Sequence, residues 1–363
     1  MSEPSADAYD LLRSDAKSIV LGLAVLELDA ISAAGVAVLA ERATPGAALV
    51  TLVRDGWIAA TGQDSWSLVP AARDAVAGIA RMADPALASS VAGRFAGHHL
   101  EALRPAEAGS ADDGVRAIAH VAAHRSEIVA AVGGAARRGH TELAIDLALL
   151  SWRVAGHVPD PAWWRMLAER GEAAAVAARR PVDLTELLHR SAEVFAAAED
   201  HKTAEAQWSR ARALARELGD GQRVADVQFR LGRLYRDWGR LHRALDTYLE
   251  LIHSPEDAAD LVGVARAMTE VGMTMLEAGR PADALAYLTD ADKALDAAEG
   301  SGRGPVRWHA DVVESLGRLL DEQGSTRAAQ RMYSRALAML IDVDDEAADR
   351  VRQRLAAVVA QLA

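Results

Sequence analysis

Apolar positions in the C-terminal half of the chain fall at helical spacing, and the pattern returns at regular intervals. Ala-x3-aromatic-x2-Ala occurs at Ala204, Trp208 and Ala211. It returns at Ala244, Tyr248 and Leu251, at Ala284, Leu288 and Ala291, and at Ala329, Tyr333 and Ala336, so the leading alanines stand 40, 40 and 45 residues apart. Before each leading alanine sits another small residue: Ala192, Gly232, Gly272 and Gly317. A large residue follows each of these, at Phe195, Tyr235, Met275 and Leu320. Gly239, Gly279 and Gly324 then punctuate three of the four units. Each unit predicts two antiparallel helices. The small residues let the two backbones approach, the large ones fill the space beside the contact, and the loop glycine permits the left-handed turn that ends the first helix.

These positions resemble the tetratricopeptide repeat. The resemblance implies an all-α fold in which residues 185–363 wind as a right-handed superhelix of hairpins. The period exceeds the family's usual length of about 34 residues, so helices or connections are extended. The segment EGSGRGP, Glu299–Pro305, accounts for the longer third interval and predicts a surface loop.

Upstream, from about Val115 to Arg180, the pattern stays helical but irregular. EIVAAVGGAARRGHTELAIDLALLSW reads as another small-residue hairpin, with Gly139 in its turn and Ala144 after it. Trp152, Trp163 and Trp164 flank a Pro/Gly linker, GHVPDPA. Residues 84–184 are therefore expected to form a helical transition region of two degenerate units, with a linker at Arg104–Gly114. Residues 1–83 have a different texture. Helical patterns cover Asp15–Glu27, Ala30–Arg42, Pro45–Asp55 and Ala71–Met82. Between the last two, Trp57-Ile58-Ala59 and Ser65–Leu68 flank a turn at Thr61–Asp64 and predict a β-hairpin. Three helices, a hairpin and a trailing helix predict a small winged-helix-like domain.

The layout resembles the C-terminal half of actinobacterial signal-transduction ATPases of the NB-ARC, or STAND, type. In those regulators a winged helix follows the nucleotide-binding module and a tetratricopeptide array follows that. The resemblance rests on LVRDGWIAATGQDSWSLV, on RSEIVAAVGGAARRGHTELAIDLALLSW and on LGRLYRDWGRLHRALDTYLE. Two departures matter. No phosphate loop of the form GxxxxGK[ST] occurs, because GSGRG at Gly300–Gly304 lacks the lysine. Where the family carries a His-Asp pair whose histidine touches ADP, this chain has Leu68, Val69 and Pro70. The resemblance therefore implies a sensor half without a nucleotide switch.

Composition narrows the function. The chain has 363 residues, too many for one small core. Aromatics make up only 4%, which favours helices over sheets. The 52 acidic residues outnumber 40 basic ones, giving a net charge of −12 and arguing against nucleic acid as the main partner. There are no cysteines, hence no disulfide, thiolate metal site or cysteine nucleophile. The N-terminus is acidic rather than basic, and the most apolar stretch, Ile19–Ala40, carries Glu27 and Asp29 near its middle. A cytoplasmic protein without a membrane partner is expected.

Candidate chemistry is sparse. The helix that would read DNA, PGAALVTLVRDG, offers only Arg54, so DNA is not the expected partner and the domain is read as a cap on the first repeat helices. His120 and His124 lie four apart with Glu127 three further on, a spacing that can hold zinc, but no further ligand stands out in the sequence. They are read as ordinary helix histidines. His98 and His99 are adjacent and are expected to point to different sides of a helix. No cofactor, metal or catalytic set is expected.

The repeat register places a groove on the first helix of each hairpin. Asp226, Phe229, Arg233 and Arg236 come from one unit, Arg266, Thr269 and Met273 from the next, and Arg318 from the last. Arginines converging on Phe229 and Met273 suit a segment bearing a carboxylate and an apolar side chain. A rival arrangement would pair the arginines internally, for example Arg236 with Glu270. The expectation is a non-enzymatic regulatory protein that binds a protein, peptide or small ligand in this groove. A transcriptional regulator using the winged helix is the alternative, and a second copy of the chain is a further candidate partner.

Overall fold

A computed structural model describes residues 4–362, apart from 29, 43, 63, 109, 156–159, 254–260, 301–305 and 342. The chain divides into two compact units, Met1–Gln207 and Trp208–Ala363.

The first unit opens with α1 (Ala6–Asp10), α2 (Ser14–Leu26), β1 (Ala30–Ser32), α3 (Ala33–Ala40), α4 (Gly46–Arg54), β2 (Ile58–Ala60), β3 (Ser65–Leu68) and α5 (Arg73–Met82). The expected hairpin is present, and β1 joins it as a third antiparallel strand in the order β1-β3-β2, with Ala30 opposite Ser67 and Ile58 opposite Leu68. Ala30–Ser32 was expected to begin a helix and is a strand instead. Ile31 is β-branched and buried there, while the Ser32 hydroxyl accepts the Gly35 N–H at 3.1 Å and starts the helix three residues late. Ile19–Leu26, Leu28, Ile31, Val36, Leu39 and Ala40 of the apolar stretch are buried inside this layer, where a Cβ on Gly22 would fall 2.4 Å from the Leu39 side chain. Among the described residues no helix is long and apolar enough to cross a membrane.

Helices α6 (Pro85–Leu103), α7 (Ala111–Ala123), α8 (Arg125–Arg137), α9 (Thr141–Ala155), α10 (Pro161–Ala177) and α11 (Pro181–Ala197) follow, and α2 and α3 pack on α6. The linker expected at Arg104–Gly114 is largely structured. Its start is a 3-10 turn, and Ser110 caps α7. Trp152 and Trp164 stack with ring centres 3.9 Å apart, and the Trp163 indole N–H donates to the Arg125 carbonyl at 2.7 Å. The middle of GHVPDPA and the loop expected at 301–305 lie outside the described residues. Helix α12 (His201–Glu217) spans the boundary between the two units.

The second unit contains α13 (Gly221–Asp237), α14 (Leu241–Ile252), α15 (Leu261–Glu277), α16 (Pro281–Gly300), α17 (Val306–Glu322), α18 (Thr326–Leu340) and α19 (Asp345–Leu362). The three hairpins meet where the repeat pattern places them. A Cβ on Gly232 would lie 2.4 Å from the Tyr248 ring, one on Gly272 would lie 2.7 Å from Leu288, and one on Gly317 would lie 2.8 Å from Tyr333. These approaches are possible only without side chains at the crossings. Gly239, Gly279 and Gly324 end the first helices at φ of +73°, +71° and +73°. In the first unit of the pattern, which lacks the loop glycine, Glu199 holds the same backbone region, at φ 60°. Helix α19 covers α18 through Val351 and Val358, which join Tyr333, Ala336 and Leu340 in one apolar cluster.

Candidate functional site

The groove residues come from α13, α15 and α17. Asp220 caps α13 by accepting the Arg223 N–H at 3.0 Å, which fixes the start of the helix that presents Asp226, Phe229, Arg233 and Arg236. Phe229 is 4% exposed and lies against Tyr248, with ring centres 5.8 Å apart. From α15, the Arg266 guanidinium lies over the Phe229 ring at 3.8 Å, a cation–π contact that holds the side chain in place without neutralising it. Below this pair is a cleft of about 140 Å³ walled by Gln222, Asp226, Phe229, Leu251, Val264 and Arg266. Pockets for drug-sized ligands run to about 300–1,000 Å³, so this one holds a single side chain.

Of the expected groove set, Asp226, Phe229 and Arg266 meet at this cleft. Arg233 is exposed on α13 and Arg318 half-exposed on α17, outside the cleft wall. The Thr269 hydroxyl donates to the Ala265 carbonyl at 2.8 Å within its own helix, and Met273 is half-buried. Arg236 departs from its expected role. It is paired with Glu270 and lies 3.8 Å from Glu277, so it is the internally paired alternative that the structure contains. Burial works against its charge, but Glu270 first, with Tyr248, Glu277 and Asp237, together outweigh it and hold the guanidinium above its ordinary value. Arg190 similarly engages Glu186 and Glu193 on α11, and Glu314 on α17 pairs with Arg350 and Arg354 on α19. Leu251 is a wall residue that the first-helix register missed, because it belongs to α14. Its signal was visible, since it stands where three other units carry alanine.

A second polar cluster joins α16, α17 and α18. Asp292, Asp296 and His309 place donor atoms within 4.8 Å of one another, but Arg335 fills their centre, donating to Asp292 at 3.0 and 2.8 Å and pairing with Asp296. The guanidinium stands where a cation would, so this cluster is an ion-pair network. Burial alone would raise the Asp292 carboxyl, but hydrogen bonds from His309 and Arg335 outweigh it and hold the group below its usual value. A depressed carboxyl stabilises the fold above its unfolded value of about 3.9 and stops doing so as pH falls through the folded value. Asp292→Asn is therefore expected to lower the melting temperature at neutral pH and to flatten its decline below about pH 4. Melts of both proteins from acid to neutral pH check this, and parallel curves would remove the assignment.

In the N-terminal layer, Arg54 on α4 donates to Asp55 at 2.8 and 3.2 Å, so the one cation of the helix that would read DNA is already matched by a carboxylate.

Residues 183–252 match the tetratricopeptide repeat family. The fold class is all-α, built on these repeats. No curated protein matches the chain. BtubC from P. vanneervenii is similar in structure, with 20% identity over 56% of this chain and 92% of that one and a TM-score of 0.45. A signal transduction ATPase with numerous domains and a tetratricopeptide sensor, from Pyrococcus horikoshii, is 16% identical over 97% of this chain at a TM-score of 0.39. This chain spans 60% of that protein's length. The apo quorum sensor NprR from B. thuringiensis is 13% identical over 74% of this chain and 69% of its own, at a TM-score of 0.47.

Proposed function

We propose that the protein acts by binding, and that the cleft between α13 and α15 receives an extended peptide segment of a partner protein. One apolar side chain of the segment enters the space between Phe229 and Leu251. A neighbouring carboxylate meets Arg266, with Arg233 on the same helix as Phe229 to receive a second. The carrying observation is the Arg266 guanidinium seated 3.8 Å over Phe229 in the wall of the cleft. A planar cation beside an apolar opening of side-chain size matches an acidic residue adjacent to a hydrophobic one. Residues 1–83 are read as a winged-helix-like cap, residues 84–184 as the transition region and residues 185–363 as the binding array. The reading of the cap rests on its helix–strand–helix–helix–hairpin order and on its packing against α6.

Selection of random peptides on the immobilised protein tests this. The enriched sequences are expected to place Asp or Glu beside Leu, Ile, Met or Phe, and Arg266→Glu should lose them. Enrichment of basic or purely polar peptides, or none at all, would overturn the reading.

A further inference from the structure

Within the first unit, helices α6, α7 and α8 bring together four histidines and a glutamate. His98 and His99 come from α6, His120 from α7, His124 from the α7–α8 junction and Glu127 from the first turn of α8. The adjacent pair His98 and His99 do not diverge as the sequence suggests. Their rings are 5.2 Å apart and both face His120, at 6.1 and 5.2 Å. His99 is 0% and Glu127 4% exposed. One Glu127 oxygen accepts the Ser32 N–H at 2.6 Å. The other, Oε2, lies 3.6 Å from His99 Nε2 and 3.6 Å from His124 Nδ1. All three of these atoms, and His98 Nε2, are buried without a hydrogen-bond partner.

Buried polar atoms without partners are rare and costly, and four in one cluster need a cause. A separation of 3.6 Å is too long for a hydrogen bond in either tautomer of His99. His99 Nδ1 lies 3.0 Å from His120 Nε2. With its proton on Nδ1, His99 donates to His120 and aims a lone pair from Nε2 at a carboxylate oxygen. That is the arrangement of a metal-binding imidazole, whose second nitrogen is fixed by an outer partner. Two ligand atoms on a tetrahedral zinc ion stand about 3.4 Å apart, close to both spacings from Glu127. A cation between these acceptors is either a proton or a metal ion. A proton shared between Glu127 and either ring would draw that pair to hydrogen-bond distance, and both pairs stand at 3.6 Å.

We propose that Glu127 Oε2, His99 Nε2 and His124 Nδ1 bind a divalent transition-metal ion of the zinc class, with His98 as candidate fourth ligand. Imidazole nitrogens with a carboxylate and no thiolate suit zinc, cobalt or nickel. Glu127 Oε2 is 3.6 Å from each ring nitrogen, but among the described residues only Asp292, Asp296 and His309 hold three such atoms all within 4.8 Å, so His124 must turn its Nδ1 closer to His99 Nε2 for one ion to reach both. His124 sits at a helix junction with its side chain 16% exposed, which leaves it room to turn. Through the Glu127 hydrogen bond to Ser32, the ion would tie α6 and α8 to strand β1 of the N-terminal layer.

The test uses the full chain, stripped with chelator and titrated with Zn²⁺ near neutral pH. One ion per chain is expected after gel filtration and elemental analysis, and Co²⁺ should give the intense visible bands of a tetrahedral site. His124→Gln should weaken Zn²⁺ binding about tenfold or more. Asp296→Asn, in the Arg335 network, should leave it unchanged. Because Glu127→Gln could unfold the cluster, the parent protein supplies a second readout: imidazole nitrogen NMR signals of His99 and His124 should shift on Zn²⁺ addition. No retained ion, equal binding by His124→Gln, loss of binding in Asp296→Asn, or unshifted imidazole signals would each overturn the proposal.

Discussion

Gly232→Leu is expected to lower the stability of the second unit by about 1–3 kcal/mol, the usual cost of overpacking. Even the first added carbon would fall 2.4 Å from the Tyr248 ring, and Tyr248 is fully buried, so the ring cannot swing into solvent. Leucine would favour the helix by under about 1 kcal/mol relative to glycine, too little to offset the clash. Gly97 is the control. It lies in the middle of α6, and a Cβ there would meet nothing within 4 Å. Gly97→Ala should therefore be neutral or stabilise by up to about 1 kcal/mol. Denaturant melts compare the two, and an unchanged midpoint for Gly232→Leu would mean that α13 and α14 do not cross there.

The double reversal Arg233→Glu with Arg266→Glu is expected to abolish capture of the selected peptides while the chain stays folded. Both side chains are exposed, so the folding cost should be within about 0.5 kcal/mol per site. Binding should suffer more, because a charge-assisted contact becomes a repulsion, at about 1–3 kcal/mol per reversal. Affinity of the parent should fall with salt, since exposed charges are screened over about 8–10 Å. Arg236 is left intact on purpose: reversing it would set a glutamate against Glu270 and Glu277 and confuse folding with binding. Calorimetry decides the matter, and the cleft is the wrong place if the reversed chain binds those peptides as tightly as the parent.

The helical crossings were legible because each depends on residues at a fixed short spacing. Gly232 and Tyr248 are sixteen positions apart, and the same interval recurs at Gly272 with Leu288 and Gly317 with Tyr333. Strand β1 was hidden because AIS is three residues long beside an alanine-rich helix, and only its pairing with β3 makes it a strand. The cleft was half legible. Phe229 and Arg266 follow from register, and the Arg236–Glu270 pair was one of two arrangements the sequence allowed, the choice between them depending on how far α13 stands from α15. The histidine cluster was hidden in a different way. His120, His124 and Glu127 show their shared face in the sequence, but His99 reaches it only through helix packing, and adjacency to His98 argued the other way.

The small volume of the cleft limits how long a partner can stay. One buried apolar side chain contributes about 1.5–3 kcal/mol, and two charged contacts add about 1.5–3 kcal/mol each. Ordering the segment and losing its free motion consume at least about 4 kcal/mol, which leaves at most about 5 kcal/mol and so a single motif no tighter than the high micromolar range. Such a complex dissociates quickly. Durable capture would then require several motifs in tandem on one chain, or partners already clustered, so that each release is followed by rebinding at high effective concentration. On the proposed reading, a cleft of this size would respond to crowding of its partner more sharply than to the partner's total amount.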